Sequence, residues 1–291
     1  MNLLLRCAGR PVARYLHRPD IGLRLSPRPY LHPVTTLGGA PVTEERPEDH
    51  PHHLGVSVAV PDVAGHNFWG GRTFVRDQGP TELDNHGVQH HEGWKLRDPD
   101  GFVEDLSWRA EGRELLRECR TVAATGLTPA AWALDFTFAL TNPGPEPLSI
   151  GSPATNGRPG AGYGGFFWRA PRAPRALRPS RVPHAPEEAT APGVFTAEAE
   201  GETSVHGRVA DWLALTGRDW TLVFAGATEE TRKDPWFVRT GEYPGVGSSL
   251  AWERRLALPA GATVVRRVVT VVADGALDRG EAAALVRKAL S

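Results

Sequence analysis

Proline and glycine interrupt this chain so often that few windows remain for a helix. Twenty-six prolines and 32 glycines are scattered through 291 residues. Proline removes a backbone donor and glycine is costly in helix interiors, so both break long helices. What lies between them is short and alternating or β-branched. Residues 54–60, 133–140 and 220–225 read as strands. Residues 249–256 and 264–272 read as a late pair, joined by the turn Leu258-Pro259-Ala260-Gly261-Ala262. Residues 111–120 fit a helix or a long solvent-washed strand equally well. Only 278–290 carries a full helix signature, with Asp278 as cap, Glu281 three residues on and Arg287-Lys288 in the last turn. Many short strands split by such turns predict sheets packed face to face. The expected fold is all-β: a large antiparallel β-sandwich (supersandwich) with a short C-terminal helix, one domain over residues 1–291.

Other features narrow the partner. The stretch 170–192, rich in proline, arginine and alanine, reads as a surface loop or hairpin excursion. A net charge of −1 with interspersed signs offers no basic stripe for nucleic acid. No run approaches roughly 18 apolar residues, so no membrane span is expected. The opening Met1-Asn2-Leu3-Leu4-Leu5-Arg6-Cys7 is too short for a secretory h-region. Cys7 and Cys119 do not make a secreted disulfide scaffold. These features point to the cytoplasm and to a small-molecule partner.

Histidine marks where the chemistry lies. Eight of the 11 histidines fall between His32 and His91, and the densest run is Asp49-His50-Pro51-His52-His53. An even spread would put about two there. If this run enters a strand, His50 and His52 share one face and His53 takes the other. His66 and Asn67 sit beside Phe68 and Trp69. Flat apolar faces with fixed polar groups suit a sugar ring, although the two aromatics fit a core equally well. In His86-Gly87-Val88-Gln89-His90-His91-Glu92, period two aligns His90 with Glu92. No residue pattern names a cofactor outright. Imidazole and carboxylate ligands from His50, His52, His90 and Glu92 would suit a divalent metal such as zinc, iron, nickel or manganese.

The glycine-rich run 155–169 lacks the Gly-Lys-Ser/Thr ending of a phosphate loop. It reads as a backbone passing close to a ligand, followed by a strand with Tyr163, Phe167 and Arg169 on one face. Arg158 and Arg169 are candidates to hold oxygens. Asp234 beside Trp236 is a candidate loop-tip carboxylate. No nucleophile elbow or redox cysteine pair is present.

Arg28-Pro29-Tyr30-Leu31-His32-Pro33, Glu48-Asp49-His50-Pro51-His52-His53-Leu54-Gly55, Gly162-Tyr163-Gly164-Gly165-Phe166-Phe167-Trp168-Arg169 and Pro235-Trp236-Phe237-Val238-Arg239 follow one another in the chain. In that order they resemble a family of soluble bacterial proteins commonly labelled methane oxygenase PmoA, over residues 28–272. The resemblance implies a large β-sandwich akin to the galactose-mutarotase supersandwich and a place in carbohydrate metabolism. No segment matches the mutarotase catalytic glutamate, which argues against simple anomer exchange.

The leading expectation is an enzyme that moves a proton on a sugar or keto-sugar, by isomerisation, elimination or hydrolysis. His50, His52 or His53 would be the acid or base near neutral pH. Substrate would be held by His32, His66, Asn67, Arg158, Tyr163 and Arg169, with Trp69 or Trp168 against the ring. The alternatives are a metal-dependent oxygenase or hydrolase and a noncatalytic carbohydrate-binding protein.

Overall fold

The computed structural model describes residues 2–172 and 191–291. Residues 173–190, most of the expected surface loop, lie outside the described residues. Two antiparallel sheets dominate. In the first, Leu3–Cys7, Arg10–Leu16, Tyr30–Val34, Val56–Val63, Gly165–Arg169, Gly245–Ser249 and Trp236–Arg239 lie side by side in that order. His66–Phe68 and Leu148–Gly151 also pair with Val56–Val63. The second sheet runs Gly193–Phe195, Trp212–Thr216, Trp220–Gly226, Thr263–Asp274, Ala131–Thr141, Arg113–Thr128, Gly101–Ala110 and Val88–Asp98. The fold is thus the expected all-β sandwich.

Period-two alternation sorts each strand between interior and outside. Leu134, Phe136 and Phe138 point inward from the second sheet, Val56, Val58, Phe166 and Trp168 from the first. Aromatic edges lock the layers together: Phe136 meets Phe166 at 5.5 Å and Trp168 meets Phe224 at 5.6 Å between ring centres. Burying each such side chain contributes roughly 1.5–3 kcal/mol.

Of the two readings open for residues 111–120 the strand holds: residues 113–128 form one, because Leu116, Val122 and Ala124 at even spacing all face the interior. Two local expectations are corrected. The late pair is not a hairpin. Leu256–Leu258 pairs with Leu148–Gly151 in the first sheet, and Thr263–Asp274 crosses to the second between Ala131–Thr141 and Trp220–Gly226. Asp234 is no loop-tip acid either. It is buried between the sheets in a two-pronged pair with Arg266, at 2.7 and 3.1 Å.

The C-terminal helix Arg279–Leu290 starts as expected. Glu281 N–H donates to Asp278 Oδ1 and Asp278 N–H to Glu281 Oε2, both at 2.9 Å. Ala282 and Val286, four apart, pack on Trp212, Ala225 and Val269 and cover one end of the second sheet's outer face.

Candidate functional site

The outer face of the first sheet carries a second, smaller apolar layer. While Phe166 and Trp168 enter the interior, Phe167 and Arg169 point outward, and Phe237 and Arg239 repeat that alternation two strands away. Between them Gly245 faces out. A Cβ there would stand 3.0 Å from the Tyr243 ring and 3.2 Å from that of Phe167, so the missing side chain lets both rings settle on the backbone. Trp69 lies 4.8 Å from Phe167 and 4.6 Å from Tyr163, which meets Phe237 at 5.4 Å.

The histidine run caps this layer as a turn, not as a strand. His50 N–H donates to Pro47 O at 3.0 Å and His53 N–H to His50 O at 2.9 Å, with Pro51 at the second turn position that suits its fixed φ. The rings therefore gather instead of dividing between two faces: His50 to His53 is 4.7 Å, His52 to His53 4.8 Å and His50 to His52 5.8 Å. Tyr243 lies 4.8 Å from both His50 and His53. Below them, Arg169 pairs with Glu44 at 2.7 Å, lies 4.9 Å over the Tyr243 ring and brings Nη1 to 3.5 Å from His53 Nδ1.

Buried struts hold the turns in place. Arg28 is fully buried and donates to the carbonyls of His52 at 2.8 Å, Trp69 at 3.0 Å and Ser26 at 3.1 Å. Asn67 Oδ1 accepts from the Trp69 and Gly70 amides, both at 2.8 Å. Gly70 and Gly71 have φ of +102° and +68°, and His52 packs so near that a Cβ at either would meet its side chain within 3.0 Å. His86 Nε2 lies 2.7 Å from Gly71 O and braces the same turn.

Burial separates the three imidazoles. Desolvation, then Arg28 and the neighbouring imidazoles, lowers His52 to about 3, and desolvation, then the imidazoles of His52 and His50, holds His53 well below its ordinary value. Both are neutral rings near pH 7, so neither is the neutral-pH acid or base expected of the run. His50 differs in its partner. It is half-buried, and its Nδ1 lies 2.9 Å from Asp49 Oδ2. Burial works to raise Asp49, but the hydrogen bond to His50 and the charges of His50 and Arg172 bring it below the ordinary carboxylate range. Arg172 reaches the same Oδ2 at 2.5 Å. Among the described residues nothing hydrogen-bonds His50 Nε2, so the pair offers an oriented ring with an unused nitrogen.

Several expected site residues lie elsewhere. Trp168 faces the interior and donates to Val42 O at 2.8 Å, because it alternates with Phe167. His32 is held by Thr43 Oγ1 at 3.0 Å and faces Glu45 at 3.8 Å. His66 is buried at the far hairpin end of Val56–Val63, and Asn67 braces a turn with both ends of its amide. His90 and Glu92 do share a face, but it is the outward face of the second sheet, with Glu92 paired to Ser107 and Arg109. Since the inner faces of the two sheets meet, these two point away from His50 and His52, and the proposed four-ligand metal set does not assemble. Among the described residues no three His, Cys, Asp or Glu side chains are arranged to hold a metal. Trp69, Tyr163 and Arg169 are at the site, and Arg158 is exposed on the adjoining glycine-rich loop.

The Family of unknown function (DUF6807) has a model that matches residues 2–287. The chain belongs to this family. No curated protein matches it. Among solved structures, a polysaccharide lyase aligns at 12% identity and TM-score 0.34, covering 74% of this chain and 26% of its own. A heparinase III aligns at 9% identity and TM-score 0.32, covering 90% and 33%. The chain thus spans about a quarter to a third of the length of those solved proteins. No helix among the described residues of this DUF6807 member is long and apolar enough to cross a membrane.

Sequence reasoning missed Tyr243, Glu44 and His206. Tyr243 carried a weak signal, the Tyr243-Pro244-Gly245 turn, but nothing local to it says that its ring meets His50. His206, whose Nε2 lies 2.8 Å from Gly160 O and whose Nδ1 accepts from the Val238 amide at 3.1 Å, ties the glycine-rich loop to the Phe237 strand.

Proposed function

We propose that this chain is a carbohydrate-active enzyme in which His50, oriented by Asp49, exchanges a proton with a sugar or keto-sugar resting on the Trp69–Tyr163–Phe167–Tyr243 layer. The observation that carries the reading is the 2.9 Å contact of Asp49 with His50 Nδ1, above a floor of aromatic rings. A carboxylate on Nδ1 selects the tautomer that leaves Nε2 as the base and stabilises the ring once it has taken a proton. Aromatic faces suit the C–H surface of a sugar. Arg169 supplies positive charge below the site, where an enolate-like oxygen would gain from it. Two further supports are structural. The four motifs that resemble the PmoA-labelled proteins each contribute here, through Arg28, the His50–His53 turn, Phe167 with Arg169, and Phe237 with Arg239. The neutral rings of His52 and His53 add polar walls without charge.

The test is proton NMR in D2O with a panel of sugars and keto-sugars. The wild type should wash deuterium into a substrate C–H bond or form product, and His50→Gln should do neither while binding the same sugar. A His50→Gln variant as active as the wild type ends the proton-transfer reading. Saturable binding without exchange or turnover across the panel leaves the noncatalytic carbohydrate-binding alternative.

A further inference from the structure

His53 is the most enclosed polar ring at the aromatic layer, 1% exposed against 7% for Tyr243. Its neighbours fix its plane. His50 stacks on it, while Phe167 at 5.1 Å, Trp69 at 5.8 Å, Tyr243 and His52 meet it at steep angles. Its backbone is tied at both ends, the amide to His50 O and the carbonyl to the Arg46 amide at 2.8 Å. Only the ring nitrogens are left to act.

One of those nitrogens has a partner. Arg169 gives Nε and Nη2 to Glu44 Oε2, at 3.0 and 2.7 Å, which leaves Nη1 to face His53 Nδ1 at 3.5 Å. A guanidinium only donates, so the nitrogen it faces is the one without a proton. Burial, then the imidazoles of His52 and His50, keeps the ring neutral. A neutral ring with a bare Nδ1 carries its proton on Nε2. That N–H has no acceptor among the described residues, and it is not one of the sealed unpaired atoms, which are His17 Nδ1, His66 Nδ1 and Thr270 Oγ1. A donor held in a dry wall without an acceptor costs free energy until something that binds supplies one.

The chemistry of that acceptor follows from what stands behind and beside the ring. Arg169 at Nδ1 strengthens the Nε2–H, since each hydrogen bond in a chain polarises the next. A donor backed by a cation favours an oxygen on which negative charge develops. His50, stacked on His53, is the base of the proposed sugar site. A base and an oxyanion donor side by side serve one task well, the removal of a C–H proton next to a carbonyl.

We infer that the substrate is a cyclic keto-sugar whose carbonyl oxygen accepts from His53 Nε2–H while His50 Nε2 takes the proton from the adjoining carbon. The C–H bond breaks, its electron pair closes the enolate C=C bond, and the carbonyl π pair moves to the oxygen held by His53. Return of a proton from His50 to carbon reverses each change. The inference rests on the proposed base, and its test separates the two.

The probes are methyl glucoside and the three ulosides made by oxidising its C2, C3 or C4 to a ketone, followed by proton NMR in D2O. The wild type should exchange the C–H beside the ketone in at least one uloside and leave methyl glucoside untouched. His53→Phe should lower kcat for that exchange about 10²–10³-fold with KM changed less than about threefold. His53→Gln, whose amide oxygen can face Arg169 while its NH2 replaces Nε2–H, should keep at least about a tenth of the wild-type rate. A 15N-correlated proton spectrum of the wild type, which needs no variant to fold, should show His53 as the Nε2–H tautomer. Exchange that needs His50 but runs at the wild-type rate in His53→Phe, or a His53 protonated on Nδ1, overturns this inference and leaves the proposed base standing. So does conversion of methyl glucoside with no exchange in any uloside. Neither exchange nor turnover on any of the four overturns this inference and the proton-transfer reading together.

Discussion

Two carboxylate–imidazole pairs in this protein use the same chemistry in different surroundings. Glu104 and His91 meet at 2.6 Å between the sheets, almost wholly buried. There the Tyr15 hydroxyl donates to the other Glu104 oxygen, and Arg120 links Tyr15 to Glu118 at 2.9 and 2.7 Å. Trp108 donates to Glu118 at 2.9 Å and Arg120 also reaches Pro29 O at 3.1 Å. Each of these carboxylates is tied on both oxygens, and burial opposes the charge of Arg120 while Glu118, Tyr15 and Glu104 hold it cationic. Asp49 and His50 meet at 2.9 Å in a half-open setting, with one imidazole nitrogen to spare. A fully buried pair whose carboxylate is engaged on both oxygens pins two sheets together. A half-open pair beside an apolar floor can act on something that arrives.

The comparison breaks or sharpens on four measurements. The largest effect belongs to the interior: Arg120→Met leaves Glu118 buried without its partner and should cost about 3–5 kcal/mol in urea unfolding. A loss below about 1 kcal/mol would show that the interior network does not bind the layers. Next, Asp49→Asn keeps the shape but presents the wrong hydrogen-bond partner to His50 Nδ1. Turnover of any substrate found should fall about 10²–10⁴-fold with sugar affinity nearly unchanged, as read from initial rates against titrated binding.

The third effect is pH dependence. His52 is lowered from 6.5 to about 3, so the unfolded chain takes up a proton on this ring before the folded one does. The stability it contributes is complete above the unfolded value, about 6.5, and is lost as pH falls toward 3, by up to about 1.4 kcal/mol per pH unit. In denaturant titrations from about pH 4 to pH 7, His52→Gln should flatten that slope. An unchanged slope would mean that His52 is no more desolvated than an exposed ring. Smallest is the stability change for His50→Ala, expected within about 1 kcal/mol because the ring is half-open and its carboxylate partner Asp49 stays solvated. If its unfolding midpoint drops as far as that of Arg120→Met, the two pairs are alike and both are structural.

Local pattern was enough for much of the fold. The strand over 133–140 and the capping box at Asp278 were legible locally, whereas Trp168, expected against a ligand, turns inward by alternating with Phe167. The site was legible only as a list of motifs. Tyr163, Phe167 and Arg169 were read on one face correctly, since that follows from the strand period. The His50–His53 run was misread, because consecutive turns and a strand can share the same residues, and only long-range neighbours such as Tyr243 and Arg28 select between them. The pairing of His90 and Glu92 with His50 and His52 failed for a related reason: a face can be deduced locally, but which sheet that face belongs to cannot.

By itself, then, the order of residues determined the short strands, the alternation of side chains along them, the capped helix and the presence of histidine, arginine and aromatic groups in quantity. These depend on backbone geometry repeated every two or three to four residues. Tertiary structure alone decided that Asp49, His50, Trp69, Tyr163, Phe167, Arg169 and Tyr243 stand together and that His90 does not. It also decided that His52 and His53 are neutral, since desolvation and nearby guanidiniums are properties of packed neighbours, not of the residue in its chain.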